Sequence, residues 1–253
     1  MYKKIILTII SLFFLASCSS KKDLLYYQDV QNNSQSSINF VTNEIQINDI
    51  LYIKVDALIQ DSAKPFNLEI NNTAAASIQN YKVQGYLVTQ DGTIVFPILG
   101  PVKAAGKTPV QLQKIIKDLL DEKGYIKDAN VNVRVINSKV TILGEVKSPG
   151  TYSFEEQNIT INQALGYAGD LTIYGKRNDI LLIREVNGTR SYIKVDLTKS
   201  DLMNSPYYYV KQNDIIIVNP NGARVMSSGY LNNIGSIIGI LSLVATIVLL
   251  IRT

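Results

Sequence analysis

Residues Gly85 to Thr108 read GYLVTQDGTIVFPILGPVKAAGKT, and Pro109 to Leu120 follow as PVQLQKIIKDLL. Tyr86 to Gln90 and Thr93 to Phe96 are short strands, and Asp91-Gly92 between them supplies the positive φ of a tight hairpin turn. Pro97 ends the second strand. Thr108 can cap a helix, Pro109 suits the first helical position, and Gln111 completes a capping box. Leu112, Ile115, Ile116 and Leu119 then form one apolar stripe, which Gly124 terminates.

On the N-terminal side, Leu51, Ile53 and Val55 alternate with Tyr52, Lys54 and Asp56, the pattern of a half-buried strand. On the C-terminal side, Val131, Val133 and Val135 repeat it. A second β-rich unit starts near Lys139. It holds Val140 to Leu143, a Ser148-Pro149-Gly150 turn, and a short helix from Thr160 to Ala168 with its own Thr-x-x-Gln start. An Asn187-Gly188 hairpin follows, and the last strand is Ile215 to Val218. Two pieces recur. Leu99 to Gly106 and Leu143 to Gly150 share L-G-x-V-K-x-x-G, and Asn48-Asp49-Ile50 and Asn213-Asp214-Ile215 each open an apolar strand. The repeats suggest two related β-rich modules in tandem.

Both ends of the chain are of another kind. Lys3 and Lys4 followed by the apolar run Ile5 to Leu15 form a secretion signal, closed by Leu15-Ala16-Ser17-Cys18. That tetrapeptide resembles a bacterial lipobox, which implies cleavage before Cys18 and lipidation of its thiol and new amine (palmitate among the acyl chains). The alternative is an ordinary signal peptide with a stray cysteine. By the common sorting rule, Ser19 points to the outer membrane. Ser20 to Phe40, rich in Ser, Asn and Gln, reads as a tether. At the other end, Ile234 to Ile251 (IGSIIGILSLVATIVLLI) carries no charge. As a helix it would be roughly 27 Å long, enough to span a bilayer core. Gly235, Gly239, Ser242 and Thr246 fall on one narrow face, a helix contact or a lumen lining.

Composition narrows the chemistry. The net charge of +4 is too small and dispersed for nucleic acid, and there is no histidine and a single cysteine in 253 residues. His-based acid–base catalysis, Ser-His and Cys-His pairs and His/Cys metal sites are therefore excluded. Carboxylate chemistry would have to use Asp49, Asp91, Glu145, Glu155 or Glu156, all at turns or strand ends. Tyr207-Tyr208-Tyr209 could stack on sugars, although a tyrosine run in a strand is more often half core and half surface. No catalytic, metal-binding or cofactor-binding residue is assigned, and no cofactor is called for.

Taken in order, these features resemble the Wza-type outer-membrane polysaccharide export lipoproteins. Asn48 to Val55 and Gly85 to Thr108 carry the likeness to the export domain. VTILGEVKSPGTYSF and INQALGYAG carry the likeness to a β-grasp SLBB domain. The family has Pro-Gly-Asp where this chain has Ile47-Asn48-Asp49, and longer members have two β-grasp modules where one is evident here. The fold class implied is α+β: two small β-rich modules, then a C-terminal transmembrane α-helix. The expected divisions are a signal peptide (1–17), a lipidated tether (18–40), the export domain (41–136), the SLBB domain (137–220) and the C-terminal helix (221–253).

The resemblance implies no enzyme. It implies a ring-shaped homo-oligomer, about eight subunits by the likeness, that serves as a porin-like translocon for capsular or exopolysaccharide. It also implies an inner-membrane polysaccharide co-polymerase with a tyrosine-kinase module as partner, and Arg252-Thr253 at the cell surface. A different reading keeps the glycan contact but not the pore: a membrane-anchored periplasmic glycan-binding or scaffold protein.

Overall fold

A computed structural model describes residues 24–30, 35, 43–68, 85–186, 188–227, 239 and 242. Two separate hydrophobic cores lie on either side of the linker Ile136–Ser138.

The first core is built on β1 (Ile50–Asp56), whose alternation buries Leu51, Ile53 and Val55. β1 is the centre of a three-stranded antiparallel sheet, between β2 (Tyr86–Leu87) and β5 (Asn130–Val135). The expected hairpin of Tyr86–Gln90 with Thr93–Phe96 is only half realised. Asp91-Gly92 does make the tight turn, with Gly92 at φ 72°. However, β3 (Thr93–Phe96) pairs with β4 (Gly100–Lys103), and β2 pairs with β1. Pairing outside the local turn thus decides this register.

Helix α1 (Pro109–Glu122) starts as its sequence dictates. Gln111 N–H donates to Thr108 Oγ1 at 3.2 Å, and Thr108 N–H donates to Gln111 Oε1 at 2.9 Å. Leu112, Ile116 and Leu120 are fully buried, and Ile115 and Leu119 pack at the margin.

The second core lies behind a five-stranded sheet ordered β10-β9-β12-β6-β7. The strands are β6 (Lys139–Gly144), β7 (Gly150–Ser153), β9 (Gly175–Val186), β10 (Thr189–Val195) and β12 (Ile215–Pro220). β12, last in sequence, lies between β9 and β6 and runs parallel to β6. The short pair β8 (Ile159–Thr160) and β11 (Tyr209–Val210) flanks helix α2 (Ile161–Tyr167), which has a second capping box between Thr160 and Gln163. Helix α3 (Gly222–Ser227) follows β12.

The sequence repeat L-G-x-V-K-x-x-G maps onto different elements. Gly100 starts β4, whereas Gly144 ends β6. The Asn-Asp-Ile repeat is a structural repeat. Gln46–Asp49 and Lys211–Asp214 form the same turn, with Asn48 at φ 69° and Asn213 at φ 63°. In each, the Asp N–H donates to the carbonyl three residues back at 3.2 Å, and the Asp carboxylate accepts from the N–H of that same first residue, at 2.9 and 2.8 Å. Asn tolerates the left-handed conformation, so the turn needs no glycine here.

The expected C-terminal transmembrane helix requires correction. Among the described residues, no helix is long and apolar enough to cross a membrane. Apolar composition over Ile234–Ile251 meets the hydropathy requirement, but crossing also needs a continuous helix of about 20 residues, and of that stretch only residues 239 and 242 are among the described residues. Helix α3 has six residues and carries Arg224. Among the described residues the fold is therefore α+β in two β-rich modules, with no membrane-crossing helix. Of the expected contact face, Gly239 and Ser242 have exposed helical backbone, with Ser242 Oγ donating to Gly239 O at 2.9 Å. Gly235, Thr246 and Cys18 lie outside the described residues.

Candidate functional site at the junction of the modules

The two Asx turns meet at the junction. Asp49 is almost fully buried, and its carboxylate accepts from Gln46 N–H and, at 2.6 Å, from the side-chain amide of Gln212 in the second turn. Asn137, in the linker, binds the first turn from both sides. Its Oδ1 accepts from Ile50 N–H at 2.8 Å and its Nδ2 donates to Asn48 O at 2.9 Å. Its Oδ1 also lies 3.4 Å from Gln212 Nε2. One asparagine and one glutamine thus lock β1 of the first module to the entry of β12 in the second.

Beside this lock is a cavity of about 300 Å³, with Glu44, Asp49, Arg134, Glu155, Glu156 and Gln212 among its lining residues. Gln212 Oε1 and Asn43 Oδ1 are buried beside it without a partner among the described residues. The lining is rich in acceptors, which suits hydroxyl donors such as water or a saccharide. Of the carboxylates singled out from sequence, Asp49, Glu155 and Glu156 come together here. Asp91 lies in the β2–β3 turn, and Glu145 is engaged elsewhere by Arg224 and Thr172. Among the described residues, no group of three or more acidic or cysteine side chains could hold a metal ion.

Asp49 differs from its counterpart. Asp214 accepts three hydrogen bonds from Arg184, Nε to Oδ1 at 3.0 Å, Nε to Oδ2 at 3.3 Å and Nη2 to Oδ2 at 2.7 Å. Asp49 has only the neutral Gln212 amide beside the Gln46 N–H. Burial pushes the Asp49 carboxyl up to about 6, and the Gln46 N–H offsets part of that rise. The folded state therefore binds this proton more tightly than the unfolded chain, whose value is 3.8. The stability Asp49 contributes is full below that value and is lost as pH rises through about 6. Its loss should amount to roughly 2–3 kcal/mol between pH 4 and pH 7. Asp49→Asn is expected to remove that pH dependence, because an asparagine amide can pair with a rotated Gln212. Urea unfolding of both proteins at the two pH values measures the difference.

The tyrosine run is half-buried, with Tyr207 and Tyr208 packed against the second core. Tyr207 lies beside Arg184, with the guanidinium 5.7 Å from the ring centroid, and Tyr209 O accepts from Arg184 Nη2 at 2.8 Å. Sequence reading missed Gln212, Asn137 and Arg184. The segment read as a tether is another surprise. Tyr27 N–H and Gln28 N–H donate to Leu197 O and Thr198 O at 3.0 and 2.7 Å, so residues 24–30 are docked on the second module. The Tyr26 hydroxyl donates to Asp170, and Tyr27 Oη donates to Asn162 Oδ1 at 2.6 Å.

Comparison with known proteins agrees with this architecture. Residues 42–136 match the polysaccharide biosynthesis/export protein family, and residues 139–194 match the SLBB domain. The chain is 37% identical over 106 residues to the EPS I polysaccharide export outer membrane protein EpsA of Ralstonia nicotianae, covering 40% of this chain and 27% of that protein. The EpsA of Ralstonia solanacearum is 32% identical over 114 residues, covering 44% of this chain and 29% of that protein. The capsule polysaccharide export outer membrane protein CtrA of Neisseria meningitidis is 29% identical over 109 residues, covering 42% of this chain and 27% of that protein. The matches thus span less than a third of the length of these curated relatives. An export domain running directly into an SLBB domain is the arrangement in which the chain resembles the Wza-type polysaccharide export family.

Proposed function

We propose that this protein is the outer-membrane component of a polysaccharide exporter, lipid-anchored at Cys18, with its two modules in the periplasm. Identical subunits form a ring, and capsular or exopolysaccharide passes through the enclosed space without any bond being made or broken. An inner-membrane co-polymerase, with a tyrosine-kinase module, delivers the polymer from the periplasmic side. What supports the reading most is the direct succession of the two domain types, held as one unit by Asn137 and the Asp49–Gln212 contact. A ring that encloses a passage needs modules that do not swing independently, and a buried polar lock of this kind supplies that stiffness. The relatives named as export outer membrane proteins support the direction of transport.

Deletion of the gene is expected to abolish surface polysaccharide while polymer remains inside the envelope. The protein extracted in mild detergent is expected to sediment at several times its 28.1 kDa subunit mass. Unchanged surface polysaccharide together with a monomeric particle would sink the proposal.

A further inference from the structure

The two ends of the described chain converge on one corner of the second module, the loop from Asp170 to Arg177. On the N-terminal side, Tyr26 donates to Asp170, and the Arg177 guanidinium lies 5.4 Å from the centroid of the Tyr26 ring. Arg177 is itself fixed by donating to Gly175 O at 3.0 Å. On the C-terminal side, Asn221 N–H donates to Tyr174 O at 2.7 Å. Arg224 of α3 donates to Glu145 Oε1 at 2.9 Å and lies 5.8 Å from the centroid of the Tyr174 ring. Thr172 Oγ1 donates to the other oxygen of Glu145 at 2.9 Å, which ties the loop to the same cluster.

The same corner carries exposed apolar side chains from all three segments: Leu24 and Leu25, Ile173 and Tyr174, Val225 and Met226. Ile173 is 66% exposed and Met226 80%. Six such side chains stand on three segments that meet at this corner, unlike the scattered single residues normal on a surface. The carboxylates nearby are engaged. Glu145 holds Arg224 and Thr172, Asp170 accepts from Tyr26 and from Leu171 N–H, and Asp179 lies within 4.0 Å of Lys176 and Lys194. Lys147, whose N–H donates to Asp170 O, together with Lys176 and Arg224 places cations around the apolar residues.

Chain length then limits what this corner can face. Leu24 lies six positions after Cys18, a reach of about 20 Å even when fully extended. If Cys18 carries acyl chains, the corner lies within that distance of the bilayer surface. We infer that the patch formed by Leu24, Leu25, Ile173, Tyr174, Val225 and Met226 is a lipid-contact surface that seats the second module on the membrane. The apolar side chains enter the headgroup boundary and Lys147, Lys176 and Arg224 face anionic headgroups. This inference rests on the lipidated Cys18 of the proposed function, and the experiment separates the two.

Full-length protein is reconstituted in vesicles of phosphatidylethanolamine and phosphatidylglycerol doped with a headgroup spin-labelled lipid. Single variants Ile173→Cys, Val225→Cys, Val95→Cys and Leu58→Cys carry a thiol-reactive fluorophore. All four sites are exposed, so the substitutions should not disturb folding. The expected result is quenching several-fold stronger at positions 173 and 225 than at 95 and 58. Equal quenching at all four, or stronger quenching at 95 and 58, overturns the inference. The parent protein reports on Cys18 separately, since that is its only thiol. If the parent takes up the fluorophore, lipidation is absent. The four variants are then repeated with Cys18→Ser, where preferential quenching at 173 and 225 would sustain the patch without the lipid, and its absence would end it.

Discussion

Asp214→Ala is expected to cost about 3–5 kcal/mol of stability, the usual consequence of leaving one member of a buried ion pair without its partner. Asp214 is fully buried, and Arg184 is 6% exposed. The Arg184 guanidinium otherwise meets only neutral groups among the described residues, Tyr209 O at 2.8 Å, Pro206 O at 3.5 Å and the Tyr207 ring. The alanine variant also loses the acceptor for Lys211 N–H, so the turn that starts β12 loosens as well. The double variant Asp214→Leu/Arg184→Met should recover most of the loss, because it removes the orphaned charge along with the pair. Urea unfolding followed by circular dichroism measures both. A single variant that unfolds like the parent would show that Arg184 finds other compensation.

The second large effect is expected at Gly144. Its φ is +88°, and a Cβ there would lie 2.1 Å from Val218 O, an atom that also accepts the Glu145 N–H at 3.0 Å. Gly144→Ala must therefore force β6 away from β12 in addition to straining the backbone. A loss above about 4 kcal/mol is expected, enough to leave the second module unfolded. Gly100 provides the internal comparison. It occupies the same position of the sequence repeat and has φ +79°, but a Cβ there meets nothing within 4 Å. Gly100→Ala should cost only the conformational term, about 1–2 kcal/mol. Thermal melting of the two variants, side by side, separates steric collision from backbone strain.

These two sites also show what the sequence makes legible. The capping boxes at Thr108 and Thr160, the Asn48 and Asn213 turns and the alternation in β1 and β5 are local, and each is readable because its partners lie within a few residues. The two modules follow from that local grammar together with family resemblance. The junction does not. Asp49 and Gln212 are 163 residues apart, Tyr26 and Asp170 are 144 apart, and nothing in either neighbourhood announces the other. The polar stretch after Cys18 has the composition of a free linker. Its two tyrosines were the available signal that part of it is docked, since buried hydroxyls and rings require a surface to pack against. The transmembrane expectation failed for a related reason. Hydropathy reports what a segment could tolerate, and the described helices contain none that meets the length required.

The position of β12 has a consequence for the time at which this protein becomes folded. β12 is the last strand made and the central one in the sheet, parallel to β6 some 75 residues earlier in the pairing Ile216↔Ile142 and its neighbours. A chain emerging N-terminus first can complete the first core while the second still lacks its middle. Until Ile215 to Pro220 arrive, the inner edges of β6 and β9 stay unpaired, open to proteases and to other nascent chains. Folding of the second module is thereby a late, all-or-none closure. Truncation before Ile215 should yield an intact first module trailing a protease-sensitive remainder.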